Sequence, residues 1–315
     1  MAVISAVASP SSSRTDCTLQ LPDGRTLGYA EYGDPSGKPL FFFHTGGLSR
    51  LLGRLTDRTA YRLGIRIIAP DRPGMGLSDR QAGRTLLDWP KDVIHLADHL
   101  GVDRFAVVGH SAGTPHVCAC ASAIPDRLTA AAIVGCVGPP EAPTTGMFVL
   151  FALLRRFPRL YGWSFAMMGR GARKDPDRAV EKFAKAPFLA EVDRAVLARP
   201  EIHKIFAAAS FEAYRSGSRG LAWDAALLAR PWGFRLQDIT MPIRLWHGEA
   251  DGMAPVAQAR YVASLIPTCV ATFYPDEGHV SVLVNHLDDI LAAIVSAGPR
   301  KAAVLPDPPA APGRS

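Results

Sequence analysis

The stretch Gly109-His110-Ser111-Ala112-Gly113 carries the residue types and spacing that could most directly do chemistry. A serine with glycines two places before and two places after it fits a tight strand-to-helix turn, which presents the hydroxyl above a sheet edge. A helix starting behind Ser111 favours negative charge developing beside it. A serine hydroxyl is a weak nucleophile without a base. His279, in Glu277-Gly278-His279, follows an apolar run and precedes the last helical stretch, where a loop can carry an imidazole to the sheet edge. His247 also ends an apolar run and is the rival, although its side chain reads as support for the loop after it. His95, His99, His116, His203 and His286 fall in helical stretches, and His110 is expected to pack beneath the turn. The base needs a carboxylate that orients it and stabilises the imidazolium. Asp251 follows a buried run and precedes a helix, so it is the expected acid; Glu249 and Asp276 read as solvated loop charges. Two backbone N–H groups should receive the oxyanion. The expected donors are Ala112, next to the nucleophile, and Gly46, in the glycine loop His44-Thr45-Gly46-Gly47.

The elements that must hold these residues are legible in the hydrophobic pattern. Residues 18–21 and 27–33 read as short strands around Pro22-Asp23-Gly24. Continuous apolar runs at 39–43, 65–69, 105–108 and 131–134 fit strands buried on both faces of a parallel sheet. Helical stretches lie between them, at 86–100 with Gly101 as its cap and at 111–123. Such alternation predicts an α/β fold with a mostly parallel, doubly wound sheet. The rhythm stops at residues 139–232, which carry helical pieces and no convincing strand, and resumes with 243–246, 256–265 and 270–274. The expected organisation is a tail at 1–16, a core from 17–138 and 233–298, a helical cap at 139–232 inserted after the sixth core strand, and a second tail at 299–315 rich in Pro and Ala.

Composition narrows the function. The chain has 315 residues, 48% hydrophobic, enough for one large core with an insert. Its net charge is +6, yet no nucleic-acid-binding motif and no basic stripe interleaved with aromatics accompanies it. Residues 139–235 hold 16 Lys/Arg against 9 Asp/Glu, essentially the whole excess. The five cysteines, Cys17, Cys118, Cys120, Cys136 and Cys269, show neither a disulfide ladder nor zinc spacing and read as buried, reduced thiols. The N-terminus lacks the basic region of a signal peptide, and Arg155, Arg156 and Arg159 interrupt the longest apolar run. A cytoplasmic protein without a transmembrane segment is expected. The same arginines could touch anionic lipid peripherally, and a solvated helix face explains them as well. The partner expected is a small-molecule substrate, with no metal, no cofactor and no nucleic acid. The oligomeric state is open.

With these residues in place the chain resembles the α/β-hydrolase superfamily over residues 17–297, and within it the small esterase- and peptidase-like group with a helical cap. The resemblance is carried by His44-Thr45-Gly46-Gly47, by Asp71-Arg72-Pro73-Gly74-Met75-Gly76-Leu77-Ser78-Asp79, by the Gly109–Gly113 turn, by the Asp251 stretch and by Gly278-His279. The order Ser111, Asp251, His279 is that of the family. Thr45 stands where the family usually has glycine, Thr114 where many members have another, and the serine at the turn disfavours the aspartate-nucleophile branches. The resemblance implies a cap that covers the site and shapes the acyl pocket. Its apolar stretch, from Met147 to Phe165, reads as a cap helix packed on the core or as an apolar substrate tunnel. The reaction expected is ester hydrolysis through an acyl-enzyme. Amide, peptide or carbon–carbon bond cleavage with the same residues is the alternative, and a non-catalytic ligand-binding protein on the same fold is the third reading.

Overall fold

The computed structural model describes residues 13–143 and 157–296. Its eight strands are β1 (Arg14–Gln20), β2 (Thr26–Gly33), β3 (Lys38–Phe43), β4 (Ile65–Pro70), β5 (Phe105–His110), β6 (Leu128–Val134), β7 (Ile243–Gly248) and β8 (Cys269–Tyr274). They form one sheet in the order β1-β2-β4-β3-β5-β6-β7-β8. β1 and β2 pair antiparallel, as do β2 and β4, and every pair from β4 to β8 is parallel.

Because successive strand residues point to opposite faces, the apolar runs fill two cores. Phe41, Phe43, Phe105 and Val107 face one, with α2 (Trp89–His99), α3 (Thr114–Ala123) and α9 (Val256–Leu265). Leu40, Phe42, Ala106 and Val108 face the other, with α1 (Asp57–Arg62) and α11 (Leu287–Ser296). The central strands therefore place apolar residues on both faces, and Lys38, Arg66, Thr129 and Arg244, near their starts, are less buried. Each buried phenylalanine there contributes about 1.5–3 kcal/mol.

Between β6 and β7 lie five described helices: α4 (Pro158–Lys174), α5 (Pro176–Ala184), α6 (Glu191–Leu197), α7 (Pro200–Ala213) and α8 (Arg219–Leu228). Proline opens α4, α5 and α7, where its missing N–H costs nothing and its fixed φ suits the first turn. Asp175 caps α5 by accepting the Arg178 N–H at 2.9 Å. α4 and α8 pack on each other through Tyr161, Phe165, Leu221 and Ala226, while Val196, Leu197, Ile202 and Phe206 of α6 and α7 join the second core.

Several sequence expectations shift by a few residues. β1 begins at Arg14, so residues 14–16 belong to the sheet rather than to the expected tail. The polar run Arg14-Thr15-Asp16 hides this strand, whose backbone pairs with β2 and whose Arg14 meets Glu31 at 3.3 Å. The last helical stretch is divided at His286 into α10 (Ser281–Asn285) and α11. Residues 1–12, 144–156 and 297–315 lie outside the described residues, and with them most of both tails, the Met147–Leu154 part of the apolar stretch, Arg155 and Arg156. All five cysteines are free; four are buried and Cys269 is partly so. Among the described residues no helix is long and apolar enough to cross a membrane.

Candidate active site

β5 ends at His110, and Ser111 opens a short 3-10 turn, Ser111–Gly113, that leads directly into α3. Ser111 has φ of 55°, and among the described residues it is the only non-glycine with positive φ. A left-handed backbone costs an L-residue about 1–2 kcal/mol, so the turn holds Ser111 under strain. The flanking glycines permit it. A Cβ on Gly109 would lie 2.6 Å from the Gly113 carbonyl oxygen, and one on Gly113 would lie 2.5 Å from that of Phe43. The five-residue spacing is thus a steric requirement of the turn.

His279 and Asp251 come together from the loops after β8 and β7. His279 Nδ1 donates to Asp251 Oδ2 at 2.6 Å, and both side chains are buried. Asp251 Oδ1 accepts the N–H groups of Met253 and Ala254, each at 2.8 Å, which fixes the carboxylate plane. Burial opposes a charged imidazole at His279, but the Asp251 charge, its hydrogen bond and the more distant Asp193 outweigh burial and hold the residue above its ordinary value. Burial likewise pushes Asp251 up, and the facing His279 and the donated hydrogen bonds bring it below the usual carboxylate range. His279 Nε2 is buried and makes no hydrogen bond to Ser111 or to any other described residue. In ligand-free sites such contacts are commonly open and tighten when substrate arrives.

His247 and His110 have backbone duties. His247 accepts the Cys136 N–H at Nδ1 and donates from Nε2 to the Ala254 carbonyl, 3.0 Å each. Both ring nitrogens are occupied, so it supports the Asp251 loop, as expected. His110 donates from Nε2 to the His279 carbonyl at 2.8 Å, and burial pushes it down to about 3. It packs beside the His279 ring, with centroids 5.1 Å apart. His286 stacks on Tyr274 and pairs with Glu277 at 3.1 Å. Glu249 binds Arg260 on the surface, as a solvated loop charge should.

The loop after β3 brings Gly46 beside the turn: a Cβ on it would meet the Ala112 Cβ at 3.5 Å. His44 donates from Nδ1 to the Thr45 carbonyl at 2.9 Å and accepts the Arg72 N–H at Nε2. The Arg72 guanidinium donates to the carbonyls of both His44 and Thr45. Thr45, in place of the usual glycine, is buried within this clamped loop.

Ser111, Ala112, Gly46 and His279 line one cavity of about 860 Å³. Its remaining wall comes largely from the inserted helices, including Phe165, Met167, Met168, Phe183, Phe206 and Leu221. A cavity that is apolar over most of its wall, with a few polar groups converging at one end, is built to bury an organic ligand and orient one bond of it.

Sequence reading missed the buried charges that tie the inserted helices to these loops. Asp224 on α8 pairs with Arg72 at 3.0 Å and also with Arg84. Glu212 on α7 meets Arg50 at 2.7 Å, and Arg50 in turn meets Asp71 at 2.8 Å. The Asp71–Asp79 segment is therefore loop packing, as read. Asp193 on α6 accepts the N–H groups of His279, Val280 and Ser281 at 2.8–2.9 Å. Nothing in the residues around Asp224, Glu212 and Asp193 marks them, since the loop partners Arg72, Arg50 and His279 lie 86 or more positions away.

A family model described as alpha/beta hydrolase fold matches residues 38–286. The chain is 24% identical over 269 residues to an uncharacterized hydrolase, YcgS, of Bacillus subtilis, covering 82% of this chain and 89% of that protein. Among solved structures it superposes on a hydrolase from Pseudomonas aeruginosa PA01 with a TM-score of 0.68 at 19% identity, covering 90% of this chain and 97% of that one. It is also similar to a thermophilic esterase from Thermogutta terrifontis, with a TM-score of 0.64 at 21% identity over 90% and 97% of the two chains. The sheet order, the strained serine turn after β5 and the match of the family model over most of the chain lead to one assignment: this protein belongs to the α/β-hydrolase superfamily.

Proposed function

We propose that this protein is a serine hydrolase that cleaves carboxylic esters of small, largely apolar acids through an acyl-enzyme, with Ser111 as nucleophile, His279 as general base and Asp251 as its orienting acid. The reading rests on one convergence: a strained serine and a histidine held by the buried Asp251 border the same apolar cavity. Ser111 Oγ attacks the carbonyl carbon while His279 Nε2 takes its proton, and the N–H groups of Gly46 and Ala112 hold the oxyanion. The protonated His279 gives the proton to the departing alcohol, and water repeats the sequence to release the acid. Residues 17–138 and 233–298 act as the core, residues 139–232 as a cap that shapes the acyl pocket. Likeness to an esterase of the same fold and the mostly apolar wall favour an ester of EC class 3.1.1 over an amide or a carbon–carbon bond.

The direct test is labelling with a fluorophosphonate and turnover of nitrophenyl esters beside aminoacyl amides. Modification mapped to Ser111, with ester turnover exceeding amide turnover, is expected. A folded sample that is neither labelled nor active would overturn the reading.

A pH profile tests the base separately. Only neutral His279 accepts the serine proton, and its surroundings favour the protonated form. The kcat/KM of the enzyme should therefore rise with pH along a one-proton limb whose midpoint lies above 6.5. A midpoint at or below 6.5 would contradict the role given to the Asp251 pair.

A further inference from the structure

The cavity wall also carries charge that the reaction does not use. Lys174 at the end of α4, and Arg178 and Lys182 on α5, all line the cavity and are exposed, which puts them at its solvent rim. They recur every four residues, and Arg178 and Lys182 share one face of α5. None of the three side chains has a hydrogen bond or ion pair among the described residues, whereas most arginines elsewhere on the core are paired. Among the described residues Asp175 is the one acid on the wall, and its carboxylate caps α5. Residues 144–156 contain no Asp or Glu that could supply a partner. A rim of like charge above a low-dielectric pocket focuses the field on the entering ligand. We propose that the preferred substrate is an ester whose far end, away from the scissile carbonyl, carries an anionic group held by Lys174, Arg178 and Lys182; this rests on the esterase reading above.

The test compares nitrophenyl esters of one chain length ending in methyl, carboxylate or phosphonate. At low ionic strength either anionic ester should be preferred by about tenfold in kcat/KM over the methyl one, and the preference should shrink in 1 M salt. Which of the two is faster identifies the group. In the R178E/K182E variant the anionic-to-neutral ratio should fall at least to parity. Ser111-dependent turnover of all three esters at similar rates would overturn this proposal and leave the esterase reading intact. No turnover of any of them would overturn both. The salt response of the wild-type chain decides the matter even if the variant does not fold.

A different observation carries a second inference. Asp193, on α6 of the inserted segment, is fully buried, and its two oxygens hold three successive N–H groups starting at His279. A Cβ on Gly278 would lie 2.3 Å from its Oδ2, so the residue before His279 can only be glycine while the contact exists. From the other side His110 holds the His279 carbonyl. The geometry points to Asp193 as a positioning residue through which the inserted helices set the aim of the His279 imidazole. The titratable groups facing His279 are Asp251, His110, His247 and Asp193, and burial keeps the two histidines neutral.

D193N keeps the shape and one acceptor but loses the charge and the Oδ2 contact. It should lower kcat about 10-fold to 100-fold with little change in KM, and move the acid limb of kcat/KM to lower pH. G278A, which displaces the carboxylate from the other side, should give the same split. Unchanged kcat and an unmoved limb in folded D193N would overturn the assignment. Should D193N fail to fold, an unaltered kcat in G278A would do so.

Discussion

Ser111→Ala should lower turnover of an aryl ester by about 10^4-fold or more while leaving the protein folded, because the step that removal blocks is bond formation itself. The expected signature is loss of kcat and loss of fluorophosphonate labelling together, with substrate affinity largely retained, since only one hydroxyl of the cavity wall is removed. The backbone at this position allows a sharper version. Ser111 sits at φ 55°, where glycine is free of the penalty that serine or alanine bears. Ser111→Gly should therefore be as inactive as the alanine variant yet more stable than the wild type by about 1 kcal/mol, or about 2 °C in Tm. A gain in stability on losing the serine side chain is what strain stored for function predicts. If Ser111→Gly melted below the wild type, the strain argument would fail, and residual ester turnover in either variant near the wild-type rate would remove Ser111 from the mechanism.

Asp224→Ala should cost about 3–5 kcal/mol of stability, far more than the loss of an ordinary ion pair. Asp224 is 1% exposed and faces Arg72, 0% exposed, and Arg84, 2% exposed. Removing the carboxylate leaves two guanidinium groups buried without their counter-charge. Asp98→Ala supplies the contrast: Asp98 pairs with Arg127 on the surface, is 57% exposed, and its loss should cost under about 1 kcal/mol. Urea denaturation of the two variants side by side measures the difference. Equal midpoints would mean that the Asp224 cluster is not a structural tie. Whatever Asp224→Ala protein remains folded should also turn over more slowly, because Arg72 clamps the carbonyls of His44 and Thr45 and so shapes the loop that carries Gly46.

The fold was legible where burial leaves a simple pattern. Strands covered on both faces are apolar at most positions, so β3 to β7 stand out as near-continuous runs. β1 does not, because an antiparallel edge strand needs only one covered face, and Arg14-Thr15-Asp16 looks like loop. The serine turn was legible for a similar reason: two glycines at fixed offsets are what the carbonyls of Gly113 and Phe43 demand. The preference for His279 over His247 could be argued only from placement. The structure adds the physical ground, since both nitrogens of His247 are tied to backbone while Nε2 of His279 has no partner among the described residues.

By itself the sequence determined the parts whose chemistry is local: the tight turn at Ser111, the succession of strands and helices along the chain, and the placement of Asp251 and His279 after late strands. Only the tertiary structure decided how the inserted helices meet them. Asp193 reaches His279 across 86 residues and Asp224 reaches Arg72 across 152. Contacts over such separations leave no periodicity or spacing in the chain, because they depend on how one packed layer settles on another. The same is true of the cavity, whose apolar depth and cationic rim arise from segments that in the sequence read only as helical pieces.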